Sequence, residues 1–178
     1  MKKNKLNESI LSKMIMKNSM KMVKLLIEYA KENNTILEIN MNGKGDNFPL
    51  ISVVKRNNSE MIKLFMEYAQ ENSITIDLNK ETRNKEYSLA LAIYNGNDEI
   101  VKLLLEYARK KNIILEINKE CHDSYYPFVI AVNKYNINIF NFLIIYIQEN
   151  GIIIEIIPLN ILLIIEMSMK LNDLCNTL

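Results

Sequence analysis

Histidine is almost missing from this chain: His122 is the only one in 178 residues. A Ser-His-Asp or Cys-His site has to use it, and its immediate neighbours are Cys121 and Asp123. Adjacent residues on extended backbone point to opposite sides, so they do not make a nucleophile–base pair. Cysteine is scarce as well. Cys121 and Cys175 lie far apart in no paired spacing, which argues against a disulfide framework and for a reducing, cytoplasmic compartment. One histidine and two unspaced cysteines also supply too few ligands for zinc. Excess charge is lacking too. A net charge of +1 does not suit a surface built to hold a phosphate backbone, so nucleic acid is not an expected partner. The greasiest stretch, "GIIIEIIPLNILLII" at 151–165, is broken by Glu155, Pro158 and Asn160. It falls short of the roughly 18–20 apolar residues of a membrane span. The basic start "MKKNK" runs into "LNESILSKM", which has no apolar signal-peptide core.

What the chain has in abundance is itself. "MVKLLIEYAKENN" begins at Met22, "MIKLFMEYAQENS" at Met61 and "IVKLLLEYARKKN" at Ile100, with a degenerate "IFNFLIIYIQENG" at Ile139, each 39 residues after the last. A fixed period of this size is the mark of a stacked array. In the third copy Leu89, Ala92 and Ile93 are spaced as one face of a two-turn helix. Gly96 suits the left-handed turn that ends it. Asn97 is a fitting N-cap for a second helix, with Asp98 and Glu99 at its positive end. Ile100, Val101, Leu104, Leu105 and Ala108 then make a broad apolar stripe, and Lys102, Glu106 and Arg109 a wet side. After each long helix come "TILEIN", "ITIDLN" or "IILEIN", read as an extended return. The tyrosines Tyr29, Tyr68, Tyr107 and Tyr146 are expected to pack between copies with the hydroxyl reaching water. No single copy can bury its stripe alone, so the copies must stack into a solenoid.

At this point the chain resembles the ankyrin-repeat family. "FPLISVV", "YSLALAI" and "YPFVIAV" stand where that family has its "TPLH-x-A" start, "NGNDEIVKLLLE" matches the middle, and "LEIN" and "IDLN" match the close. The resemblance covers residues 9 to about 157. Its departures are a repeat longer than the family's roughly 33 residues, read as an added turn and a half on the second helix, and the loss of the start motif's Thr and His and of the hairpin Gly. A HEAT-type solenoid is the rival reading, but it needs two long helices per repeat. The fold class expected is all-α: an ankyrin-like solenoid forming a single domain over 1–178. Its repeats would span 9–47, 48–86, 87–125 and 126–157, with a truncated cap at 158–178. That cap is expected to fold back over Ile145, which takes the place of Glu28, Glu67 and Glu106, through Leu162, Leu163, Ile165 or Met169.

The resemblance implies a non-catalytic protein–protein interaction module, binding on the concave surface of hairpins and first helices. Carried over position by position, the contact residues are Lys44, Asn47, Lys55 and Arg56 in the second copy. In the third they are Glu81, Arg83, Asn84, Glu86, Tyr94 and Asn95. In the fourth they are Glu120, His122, Asp123, Tyr125, Asn133 and Lys134. No cofactor and no metal are implied. The alternative is a structural or self-associating protein that uses its apolar C-terminal end. Other features read blandly. "NGKGDN" at 42–47 has two glycines but no phosphate-loop context. Residues 1–24 hold seven Lys and one Glu, a solubilising cap unless they meet an acidic partner or a membrane surface.

Overall fold

The computed structural model describes residues 10–40, 48–121 and 126–154. Among them eight helices alternate short and long. These are α1 (residues 10–16), α2 (Met20–Glu32), α3 (Pro49–Lys55), α4 (Ser59–Glu71), α5 (Ser88–Tyr94), α6 (Asp98–Lys111), α7 (Pro127–Asn133) and α8 (Ile137–Glu149). The long helices start at residues 20, 59, 98 and 137, so the sequence period is the structural period.

Local chemistry sets the helix ends. Asn58, Asn97 and Asn136 each accept a hydrogen bond from the backbone N–H three residues on, at 2.9, 2.9 and 3.1 Å. This satisfies donors that a helix start leaves bare. The turn before each cap needs a left-handed residue, and Asn18, Asn57, Gly96 and Tyr135 take it with φ of 50°, 55°, 66° and 53°. A second left-handed column, Asn34, Ser73, Asn112 and Gly151, closes each long helix. Helix α6 runs five residues past Glu106 and stops at Lys111. The rest of the extra length is extended backbone.

Packing follows the stripes. Helices α3, α5 and α7 each lie on the long helix that follows; short helices stack on short (α3 on α5, α5 on α7) and long on long (α4 on α6, α6 on α8). Leu89, Ala92 and Ile93 are buried, as are Ile100, Val101, Leu104, Leu105 and Ala108. Each fully buried aliphatic side chain here contributes roughly 1.5–3 kcal/mol. The extended returns alternate: Leu37 and Ile39, Ile76 and Leu78, Leu115 and Ile117 are buried, while Ile36, Thr75 and Ile114 face out.

One expectation is overturned. The hydroxyls of the inner tyrosines do not reach water. Tyr68 accepts from the Leu37 N–H at 2.8 Å, Tyr107 from Ile76 at 3.0 Å and Tyr146 from Leu115 at 3.2 Å. Each phenol is laid against the extended return of the preceding repeat, whose backbone has no strand partner, and supplies the acceptor that such buried N–H groups require. The expected cap over Ile145 lies outside the described residues, and Ile145 itself is 43% exposed.

Candidate partner-binding surface

The hairpin before α5 forms despite its missing glycine. Glu81 pairs with Tyr87 as an antiparallel bridge, the Thr82 N–H donates to the Glu86 carbonyl at 2.9 Å, and Lys85 takes the left-handed position at φ 57°. Thr82 braces the turn: its hydroxyl lies 3.2 Å from the Glu86 N–H and 3.1 Å from the Glu86 carboxylate. Tyr87 anchors the base. Its buried hydroxyl meets the carbonyls of Glu116 at 3.2 Å and Lys119 at 2.8 Å in the return that closes the same repeat. Burial pushes its ionisation far above the ordinary phenol range.

The expected contact residues sort into two rows. In the hairpin row the charges are largely spent on each other. Glu81 meets Lys119 at 3.1 Å, Lys85 meets Glu120 at 2.9 Å, and Lys55 meets Glu86 at 2.6 Å. Hydrogen bonds to Glu120 and to Glu116 hold the Lys85 and Lys119 ammoniums above the usual lysine range. Exposed pairs of this kind contribute little to stability. Their visible effect is to set one hairpin against the next. Arg83 and Asn84 sit at the exposed tip.

The second row runs along the C-terminal ends of the stacked short helices: Lys55 and Arg56, then Tyr94 and Asn95, then Asn133 and Lys134, all exposed. Tyr94 is 59% exposed, and the Lys134 ammonium lies 4.4 Å from its ring centroid, a cation–π pair across two repeats. Asn95 donates to the Val54 carbonyl at 3.2 Å, so one of its functions is to fix α5 against α3. Lys44, Asn47, His122, Asp123 and Tyr125 lie outside the described residues.

Sequence reasoning passed over three features. Tyr135, at the end of this row, is 93% exposed on a left-handed backbone; aligning the column Asn18, Asn57, Gly96, Tyr135 would have singled it out. The closing asparagines Asn40, Asn79 and Asn118 were read only as motif letters. Asn40 donates to the Thr75 carbonyl at 2.7 Å and accepts from the Asp77 N–H at 3.1 Å. Asn79 does the same with Ile114 and Glu116 at 2.8 and 3.3 Å, and Asn118 donates to Ile153 at 2.6 Å. The third is Tyr87, hidden in a start motif that lacks its threonine.

Among the described residues no group of three or more His, Cys, Asp or Glu could hold a metal ion, and Cys121 is buried. Among the same residues no helix is long and apolar enough to cross a membrane.

No family model matches the chain, and no curated protein matches it. Its shape does match a solved one, the ankyrin repeat domain of Bcl-3, described as a unique member of the IkappaB protein family. The two align with a TM-score of 0.60 at 15% identity, over 83% of this chain and 59% of that one. At that identity the likeness speaks to architecture alone. Paired short and long helices, extended returns and a braced hairpin on a 39-residue period, together with this match, give the chain the ankyrin-repeat fold.

Proposed function

We propose that this protein is a non-catalytic, cytoplasmic protein–protein interaction module that binds another protein along its hairpins and the ends of its short helices. The observation that carries the reading is the second row: six exposed residues brought into line by α3, α5 and α7 although pairs of them are 39 positions apart. Stacked helices hold such a row rigid, which lowers the ordering cost of binding. Its centre is Tyr94 beside Lys134, with Arg56 in the same row and Arg83 on the hairpin tip before α5, and tyrosine and arginine are the residue types that most often dominate interfaces. The repeats that build it are taken as 9–47, 48–86, 87–125 and 126–157, closed by 158–178 within one domain. The mixture of Lys, Arg, Glu, Asn and Tyr fits a polar protein surface better than a nucleic acid. The Bcl-3 match supports the reading through fold, since an ankyrin stack is a shape suited to gripping an extended or folded partner.

The test is affinity capture from native cell extract with the intact chain and with Arg83→Ala/Tyr94→Ala. The double variant should lose its captured protein by more than about 1 kcal/mol in a follow-up titration, with an unchanged melting temperature. Retention by that variant, with loss on Lys102→Ala/Glu106→Ala, would place binding on the opposite face.

A further inference from the structure

Among the described residues α2 is the first of the long helices, and its outer stripe is exposed. Met22, Leu25 and Tyr29, which share one face by their spacing, are 45%, 49% and 58% exposed. Their counterparts inside the stack are covered. Met61, Ile100 and Ile139 are each 0% exposed, and Tyr68, Tyr107 and Tyr146 are 2%, 6% and 0%. Leu64, Leu103 and Phe142 pack partly buried against the core. The preceding repeat lies on each inner stripe, as the bonds from Leu37, Ile76 and Leu115 to the three phenol hydroxyls demonstrate.

Most polar positions beside the stripe follow the same pattern. The position of Glu32 is held further along by Glu71, Lys110 and Glu149, and each is met from the preceding repeat. Lys31 reaches Glu71 at 2.7 Å, Gln70 receives Lys110 at 2.6 Å, and Arg109 reaches Glu149 at 2.6 Å. The position of Lys21 is held by Glu60, which meets no hydrogen-bond or ion-pair partner among the described residues, by Glu99, met by Ser59 and Lys63, and by Asn138, met by Asp98. Among the described residues, Lys21, Glu32 and the Tyr29 hydroxyl have no such partner.

We propose that this face docks a terminal helix of a partner protein built like the preceding member of each internal junction. That helix runs alongside α2 with apolar side chains on Met22, Leu25 and Tyr29. It sets an acid against Lys21 and a base against Glu32, and an extended segment behind it gives a backbone N–H to the Tyr29 hydroxyl. The surface is continuous with an interface the fold already makes three times, so its chemistry is read from those junctions. A second copy of this chain fits less well. The last long helix among its described residues offers Ile137 and Asn141 where the acid belongs and Gln148 where the base belongs. This site is separate from the row proposed above.

A synthetic peptide of residues 98–118 carries the required pattern, with Asp98 and Arg109 as acid and base and Leu115 in the extended segment. Fluorescein-labelled, it is titrated with the full chain at low salt and followed by anisotropy. Saturable binding is expected, weakened at least about tenfold by Leu25→Glu, since burying a leucine is worth that much. Tyr29→Phe should weaken it severalfold. So should the peptide form Asp98→Lys/Arg109→Glu, while Arg83→Ala/Tyr94→Ala leaves binding intact. No saturable binding, or equal binding by the parent chain and Leu25→Glu, overturns the proposal. So does sedimentation showing a dimer that Leu25→Glu dissolves, which would make a second copy the occupant. Binding to phosphatidylserine vesicles in place of the peptide overturns it in favour of a membrane surface.

Discussion

The hydroxyl of Tyr107 accepts the backbone N–H of Ile76 at 3.0 Å, across 31 residues of chain. Ile76 is 1% exposed, so its N–H has no easy recourse to water. Tyr107→Phe leaves that donor unsatisfied at almost no change in volume, which costs about 1–3 kcal/mol. Tyr29→Phe on the exposed stripe of α2 should stay within about 0.5 kcal/mol of the parent. Urea titrations of both variants test this, and equal effects would mean the hydroxyl bond is not what the inner tyrosines contribute.

Tyr135 holds φ at 53° with its side chain 93% exposed. A bulky residue is strained in the left-handed region, where asparagine is tolerated, and asparagine occupies the same column at Asn18 and Asn57. Tyr135→Asn is therefore expected to stabilise by about 0.5–1 kcal/mol, raising the melting temperature by roughly 2–4 °C. A lower melting temperature would show that the ring contributes packing that outweighs the backbone strain.

Ile145 stands where Glu28, Glu67 and Glu106 stand in the other repeats and is 43% exposed. Ile145→Glu restores the charge at a site already open to water. For an interaction module the expected result is a loss below about 1.5 kcal/mol and an unchanged mass by sedimentation. A parent dimer that this variant turns into a well-folded monomer would instead favour the self-associating reading.

Alkaline pH should unfold the stack through its buried phenols. Burial raises the ionisation of Tyr87, and burial also raises that of Tyr146, against the bond from Leu115 and the nearby Arg109. A folded value above the unfolded one means the stabilisation is complete below about pH 10, the ordinary phenol value, and declines as pH climbs past it. Far-UV circular dichroism and tyrosinate absorbance recorded together should lose helix as the last phenols ionise. Full ionisation of every tyrosine with the helices intact would contradict this.

Much of the fold is legible in one dimension. The 39-residue period, the stripe from Ile100 to Ala108, the caps at Asn58, Asn97 and Asn136 and the break at Gly96 are all local signals. Spacings of three and four residues, an N-cap side chain and a left-handed turn act within a few residues of themselves, so the sequence alone determined the helices and their apolar faces. Tertiary structure decided what those faces meet. Tyr29, Tyr68, Tyr107 and Tyr146 occupy identical places in the period, yet one lies open and three are buried acceptors. Asn40 and Asn79 look like motif letters until stacking brings the next return within 2.7–2.8 Å of their amides. Glu81, Glu86 and Glu120 look like contact residues until neighbouring repeats and the end of α3 supply Lys119, Lys55 and Lys85. A hydrogen bond or ion pair needs its partner within about 3–4 Å, and for residues more than 30 positions apart only the stacked repeats bring that distance about.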